Sequence, residues 1–166
     1  LEKNSIISVS CSGGEASLVS DICKNISLKF PKFSKEKSTK ISKTLGELVK
    51  ISNPLDYHTF IWGNQKKMNE LFVAICEKVN DLIIFVFDVP RNDRCDPTSF
   101  KCGIEAIIHA KKKTNAKIAV VSSISESMTE DLAEVFIKNQ ILPLGGLKTG
   151  LRAIAVSYTH LRAHET

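Results

Sequence analysis

The run Ser10-Cys11-Ser12-Gly13-Gly14-Glu15 joins an apolar, strand-like stretch (Ile6, Ile7, Val9) to residues at helical spacing (Leu18, Val19, Ile22, Cys23, Ile26). Two adjacent glycines permit a tight turn and leave backbone N–H groups unshielded. A helix opening on such residues presents free donors and a partial positive charge, which suits phosphate, a phosphoryl group or a carboxylate. Glycines there also serve simply to close a turn, so the run alone leaves both readings open. Cys11 beside a helix start is a candidate for a lowered thiol pKa. Its other reading is a small residue that ends a strand.

The remaining polar residues fall in two further loops. One covers residues 52–58, with Asn53, Asp56 and His58; the other covers 88–96, with Arg91, Arg94 and Asp96. The elements that position them follow from periodicity. Ser34 is expected to cap a helix running to about Leu45 and stopping at Gly46, with Lys37 in place of the acid that would complete a capping box. A short strand is expected at 48–51, after which Pro54 turns the chain out of the sheet. Asn64 starts a helix carrying Met68, Leu71, Phe72, Ile75 and Cys76. Residues 82–87 are apolar throughout, the mark of a parallel strand covered on both faces. A helix around Ile104, Ile107 and Ile108, a strand at 118–121, a helix capped by Thr129, a short strand at Ile141-Leu142 and a helix from Leu147 complete the series.

Strands alternating with helices imply an α/β fold: a doubly wound, five-stranded parallel sheet in three layers. Ligands bind such sheets at the carboxyl ends of the strands, beside the topological switch. The loops at 10–14, 52–58 and 88–96 all leave strand ends on that edge.

The chain has 166 residues, enough for one domain with a real core, and is 43% hydrophobic and 25% charged. No segment is long enough to span a bilayer and no signal-peptide pattern opens it, so no membrane partner is expected. The net charge of +5 comes largely from scattered lysines such as Lys24, Lys29, Lys35, Lys37, Lys40 and Lys43. They read as a solvated helical face, and no aromatic-interleaved basic motif points to nucleic acid. Five cysteines without a CxxC pair fit reduced, cytoplasmic thiols better than disulfides or zinc. Cys23 and Cys76 fall at apolar helical positions and are expected in the core.

The loops also carry a resemblance. Residues 4–155 look like the third domain of the nucleoside-diphosphate-forming acyl-CoA synthetases, relatives of succinyl-CoA synthetase. The likeness rests on Val9-Ser10-Cys11-Ser12-Gly13-Gly14-Glu15-Ala16, on Ile51-Ser52-Asn53-Pro54-Leu55-Asp56-Tyr57-His58-Thr59 with Trp62-Gly63, and on Asp88 with Pro90-Arg91-Asn92-Asp93-Arg94-Cys95-Asp96. It implies a flavodoxin-like fold and a parent that uses ATP, CoA and magnesium to join a carboxylic acid to CoA with release of ADP. The reaction would pass through a phosphohistidine and an acyl phosphate. Ser12, Gly13 and Gly14 would face the phosphoryl group; Asn53, Asp56, His58, Arg91, Arg94 and Asp96 would shape the acyl side, with Arg94 favoured over Arg91 for the carboxylate. The CoA-binding, phosphohistidine and ATP-grasp domains would be partners of this one, which by itself binds no cofactor or metal and completes no reaction. His58 as the phosphorylated histidine is the less favoured reading, since the family carries that residue in the preceding domain. Trp62 is expected as a packing anchor rather than a platform for adenine, and His109 as an ordinary helix residue.

Leu1 is expected to lie inside a longer protein. Residues 156–166 (Val-Ser-Tyr-Thr-His-Leu-Arg-Ala-His-Glu-Thr) read as a translated sequencing-adapter tail that breaks the helical pattern at about Ala155, so His160 and His164 are set aside as metal ligands. Two other functions stay open: a regulatory module of a synthetase-like protein acetyltransferase, and a stand-alone flavodoxin-like domain that binds a small ligand.

Overall fold

The computed structural model describes residues 4–91 and 93–163; Asn92, in the third quoted motif, lies outside the described residues. Five parallel strands form one sheet: β1 (Ile6–Ser10), β2 (Leu55–Asp56), β3 (Leu82–Val86), β4 (Ile118–Val121) and β5 (Leu142–Leu144). Their order across the sheet is β2-β1-β3-β4-β5. The helices are α1 (Gly13–Cys23), α2 (Lys35–Leu45), α3 (Gln65–Cys76), α4 (Thr98–Thr114), α5 (Glu130–Lys138) and α6 (Leu147–Ala163). The expected flavodoxin-like, three-layer architecture is therefore present.

The layers follow from the two faces of each strand. Every residue of β1 and β3 is buried. Ile6, Ile84, Val86 and Val121 face Val19 and Cys23 of α1 and Leu147, Leu151 and Ile154 of α6. Ile7, Val9, Ile83, Phe85 and Val120 face α2, α3, α4 and α5 through Ile41, Phe72, Ile107 and Phe136. Burying one such side chain contributes about 1.5–3 kcal/mol, so the continuous apolar runs dictate a covered sheet. The chain leaves β1 toward one face and β3 toward the other. Those neighbouring strands thus form the topological switch, the position at whose carboxyl ends a doubly wound sheet places its ligand crevice.

Three expectations need correction. Residues 48–51 are not a strand: Leu48 is 93% exposed while Val49 is buried, so this stretch is a loop pinned by one side chain. The strand instead begins after Pro54, which leads the chain into the sheet and not out of it. Val9 pairs with Leu55 and Ser10 with Asp56. Last, α6 does not break at Ala155 but continues to Ala163, because no glycine or proline follows Gly150 to stop it.

Ser34 caps α2 as expected, accepting the Lys37 N–H. Lys37 itself is not a solvated lysine. Its Nζ donates to the carbonyls of Ala74, Ile75 and Glu77 at 2.7–3.0 Å, satisfying the C-terminal end of α3. Burial lowers its pKa.

Candidate functional site

Ser12 is the N-cap of α1, and its hydroxyl accepts the Glu15 N–H at 3.2 Å. Gly13 and Gly14 occupy the first two helical positions and are exposed, and no partner for either N–H exists among the described residues. Neither has a positive φ, so the turn itself does not require glycine. What their lack of a side chain provides is access. A Cβ on Gly13 would meet Asp56 Oδ2 at 3.4 Å, and one on Gly14 would meet Ser12 Oγ at 3.6 Å. Two unshielded donors at the positive end of α1 therefore stand on the carboxyl edge of the sheet, beside the switch.

Acids surround this helix end. Glu15 folds back on its own loop and accepts from the Cys11 backbone N–H and, at 3.8 Å, from the Cys11 thiol. Burial, with the Asp88 charge second, raises the Glu15 pKa. The Cys11 thiol is pushed up to about 12, chiefly by burial and then by the Glu15 charge. Of the two readings of Cys11, the small residue that ends a strand fits and the activated thiol does not: burial, with the neighbouring carboxylate second, outweighs the helix dipole. Asp88 Oδ1 accepts the Ser123 N–H at 2.9 Å, tying the carboxyl ends of β3 and β4 together. Sequence reasoning assigned Glu15 no role beyond the motif it stands in. The Ser12-x-x-Glu15 spacing, a capping-box pattern, was the available signal.

The second loop divides. Asp56 Oδ1 accepts the His58 N–H at 2.9 Å, while Oδ2 lies 3.6 Å from His58 Nδ1. His58 has φ 56°, and its ring stacks on Phe60, centroids 5.2 Å apart. Asp56 and His58 are thus brought to the Gly13 edge. Asn53 is not. Its Nδ2 donates to the Ile6 and Pro31 carbonyls at 2.9 and 3.0 Å, and its Oδ1 accepts the Ser8 N–H at 3.0 Å. The side chain is spent on the backbone of β1, away from the crevice.

In the third loop, the Arg91 guanidinium clasps Asp93 through Nε–Oδ1 (2.9 Å) and Nη2–Oδ2 (2.6 Å). Arg91 also lines a cleft of about 530 Å³ with Val89, Pro90, Ile124 and Leu132, between the loops that follow β3 and β4. Arg94 is exposed; its backbone N–H bonds to the Arg91 carbonyl and it does not line that cleft. Asp96 accepts from the Thr98 N–H and hydroxyl, which hold its carboxyl below the usual carboxylate range; it fixes the start of α4.

Cys23 and Cys76 are buried as expected. Trp62 packs against Phe87 and Phe100 with ring centroids 6.1 and 4.7 Å away. Its indole Nε1 and the Tyr57 hydroxyl are buried as a pair beneath the second loop. The described residues contain no cluster of three metal-ligating side chains and no helix long and apolar enough to cross a membrane.

Solved structures share this architecture. PH0766 from Pyrococcus horikoshii OT3 superposes over 94% of the chain with a TM-score of 0.73 at 18% identity. The dinucleotide-forming acetyl-coenzyme A synthetase 1 of Ca. Korarchaeum cryptofilum, in complex with phosphate and ADP, matches 99% of the chain with a TM-score of 0.70 at 16% identity. Its apo form matches equally far, with a TM-score of 0.69 at 14% identity. The likeness is one of fold. At the level of sequence, no protein-family pattern and no curated protein matches the chain. The chain spans about a third of the length of these structures: 35%, 34% and 35%.

Proposed function

We propose that the chain is one domain of an ATP-dependent, ADP-forming acyl-CoA synthetase, and that its crevice forms one wall of the site where phosphoryl and acyl groups are transferred. One observation carries the reading. Gly13 and Gly14 leave two unpaired N–H donors at the start of α1, on the switch-point edge of a fold that acetyl-CoA synthetase structures also contain. Donors fixed in position stabilise phosphoryl charge without reorganising as it develops. Magnesium-bound ATP supplies the phosphoryl group, and CoA the thiol, from sites on other domains.

The residues of this chain would bind and orient. Ser12, Gly13 and Gly14 hold phosphoryl oxygens. The Arg91 cleft takes the carboxylic acid, its apolar walls facing the acid's hydrocarbon part. Asp93 occupies the guanidinium fork until a substrate carboxylate replaces it. An exposed ion pair is worth only about 0–1 kcal/mol, so that exchange is cheap. Arg91 is the better candidate than Arg94, because it reaches the cleft. Five unpaired thiols fit a cytoplasmic setting.

The test is a titration of acetyl phosphate into the ¹⁵N-labelled chain. The reading predicts the largest amide shifts at Gly13 and Gly14. Shifts centred elsewhere, or none at millimolar ligand, contradict it.

A further inference from the structure

We propose that Asp56 and His58 form a proton-transfer pair, with His58 as the general base that accepts a thiol proton during acyl transfer at this edge. The proposal rests on the synthetase reading and assigns one of its steps to a named atom, Nε2 of His58.

The argument begins with the position of the Asp56 carboxylate. Asp56 is the last residue of β2 and pairs with Ser10, the last residue of β1, so it stands beside the turn that opens α1. Its Oδ1 is fixed by the His58 N–H at 2.9 Å. Its Oδ2 is the atom that a Cβ on Gly13 would lie against, at 3.4 Å, and it also lies 3.6 Å from His58 Nδ1. One carboxylate therefore stands between the helix start and the imidazole. The 3.6 Å separation is a charge contact rather than a hydrogen bond; a small turn of the ring brings Nδ1–H onto Oδ2 and leaves the lone pair on Nε2, the nitrogen that can take a proton.

The ring is also held in place. Phe60 stacks on it at an interplanar angle of 18° and is itself 73% exposed, so it covers one face of the imidazole at the molecular surface. The backbone of His58 is left-handed at φ 56°, a conformation that non-glycine residues keep only where their surroundings enforce it. Here the Asp56 Oδ1 bond to the His58 N–H does so, closing a side-chain turn. The His58 side chain remains 41% exposed, so the imidazole is open to solvent at this edge.

The step balances as follows. The thiol S–H bond breaks and its proton goes to Nε2. The sulfur electron pair forms a bond to the acyl carbon of an acyl phosphate. The acyl C–O bond to phosphate breaks, and phosphate leaves with that electron pair onto the Gly13 and Gly14 N–H groups. The imidazolium, steadied by Asp56, then releases its proton to phosphate or solvent. Asp56 is a positioning residue that acts through His58.

Two measurements test the pair. In the isolated chain, ¹⁵N spectra of the imidazole recorded at alkaline pH should place the ring proton of His58 on Nδ1, and Asp56→Asn should move that proton toward Nε2. A ring already protonated on Nε2, or one indifferent to Asp56→Asn, overturns the pair. In the full-length protein, His58→Gln should lower thioester formation at least about 100-fold more than acyl-phosphate formation trapped by hydroxylamine without CoA. Equal losses in both steps, or an unaffected thioester step, overturn the base assignment. If the unsubstituted protein traps no acyl phosphate, the synthetase reading falls and the thiol step falls with it. The tautomer result would then speak only for the Asp56–His58 geometry.

Discussion

Glu15 shows how one side chain alters the meaning of a motif. A helix start with a nearby cysteine invites a thiolate reading, but burial raises the Cys11 pKa, and the Glu15 carboxylate lying against the thiol adds to it. The same burial raises Glu15's own pKa above its ordinary value of 4.5, with Asp88 adding to the effect. A group whose native pKa is raised contributes stability that is complete below the unfolded value and is lost as pH rises through the native one. Glu15→Gln removes that loss. Urea midpoints should therefore shift in favour of the variant as the pH rises from 4 to 7, relative to the parent chain. A gap between the two proteins that stays constant, or narrows, over this range would refute the placement of Glu15. The substitution also removes a negative charge beside Gly13 and Gly14, so acetyl phosphate should bind the variant several-fold more tightly.

Among the elements, the sheet edge beside β1 is assembled from three separate pieces. Lys29 bridges to Ser5 at one end, and Leu55–Asp56 pair with Val9 and Ser10 at the other. Between them the register places Asn53 opposite Ile7. There the Asn53 side-chain amide makes the bonds to Ile6 and Ser8 that a strand residue's own backbone would make. Asn53→Ala leaves those buried groups unpaired and should cost about 3 kcal/mol in chemical denaturation. Asn53→Asp, which sets an oxygen against two carbonyls, should be no better. A loss below about 0.5 kcal/mol for the alanine variant would show that the strap carries no strain of the fold. This device also explains what the sequence could not convey. Strands with continuous apolar runs, 82–86 and 118–121, and helices capped by Ser34, Asn64 and Thr129 were legible because local pattern and tertiary burial agree. A two-residue strand completed by a side chain has no periodicity to read, and Leu48 to Ile51 offered a false one. The site was legible to the extent that its loops leave strand ends. Asn53 and Asp96 share those loops but serve backbone, a distinction that only geometry draws. The Ile124 wall of the Arg91 cleft comes from a loop that carried no chemical motif.

For the whole molecule, the two faces of the sheet decide where chemistry is possible. α1 and α4 depart to opposite sides, and the carboxyl ends of β2, β1 and β3 bring Gly13, Gly14, Glu15, Asp56 and Asp88 to one edge. Gly103 shows how closely the layers support that edge: a Cβ there would lie 2.5 Å from Phe87, the residue before Asp88. The chain spans about a third of the length of the solved structures that share its fold, and in the proposed function it supplies one wall of the site. The most direct measurement of that account is ADP formation by the full-length protein, dependent on both a carboxylic acid and CoA, compared with its Gly13→Val variant. The account predicts turnover in the parent and background turnover in the variant, with the variant's thermal unfolding nearly unchanged. No acid-dependent ADP from the parent, or undiminished turnover in Gly13→Val, would contradict it.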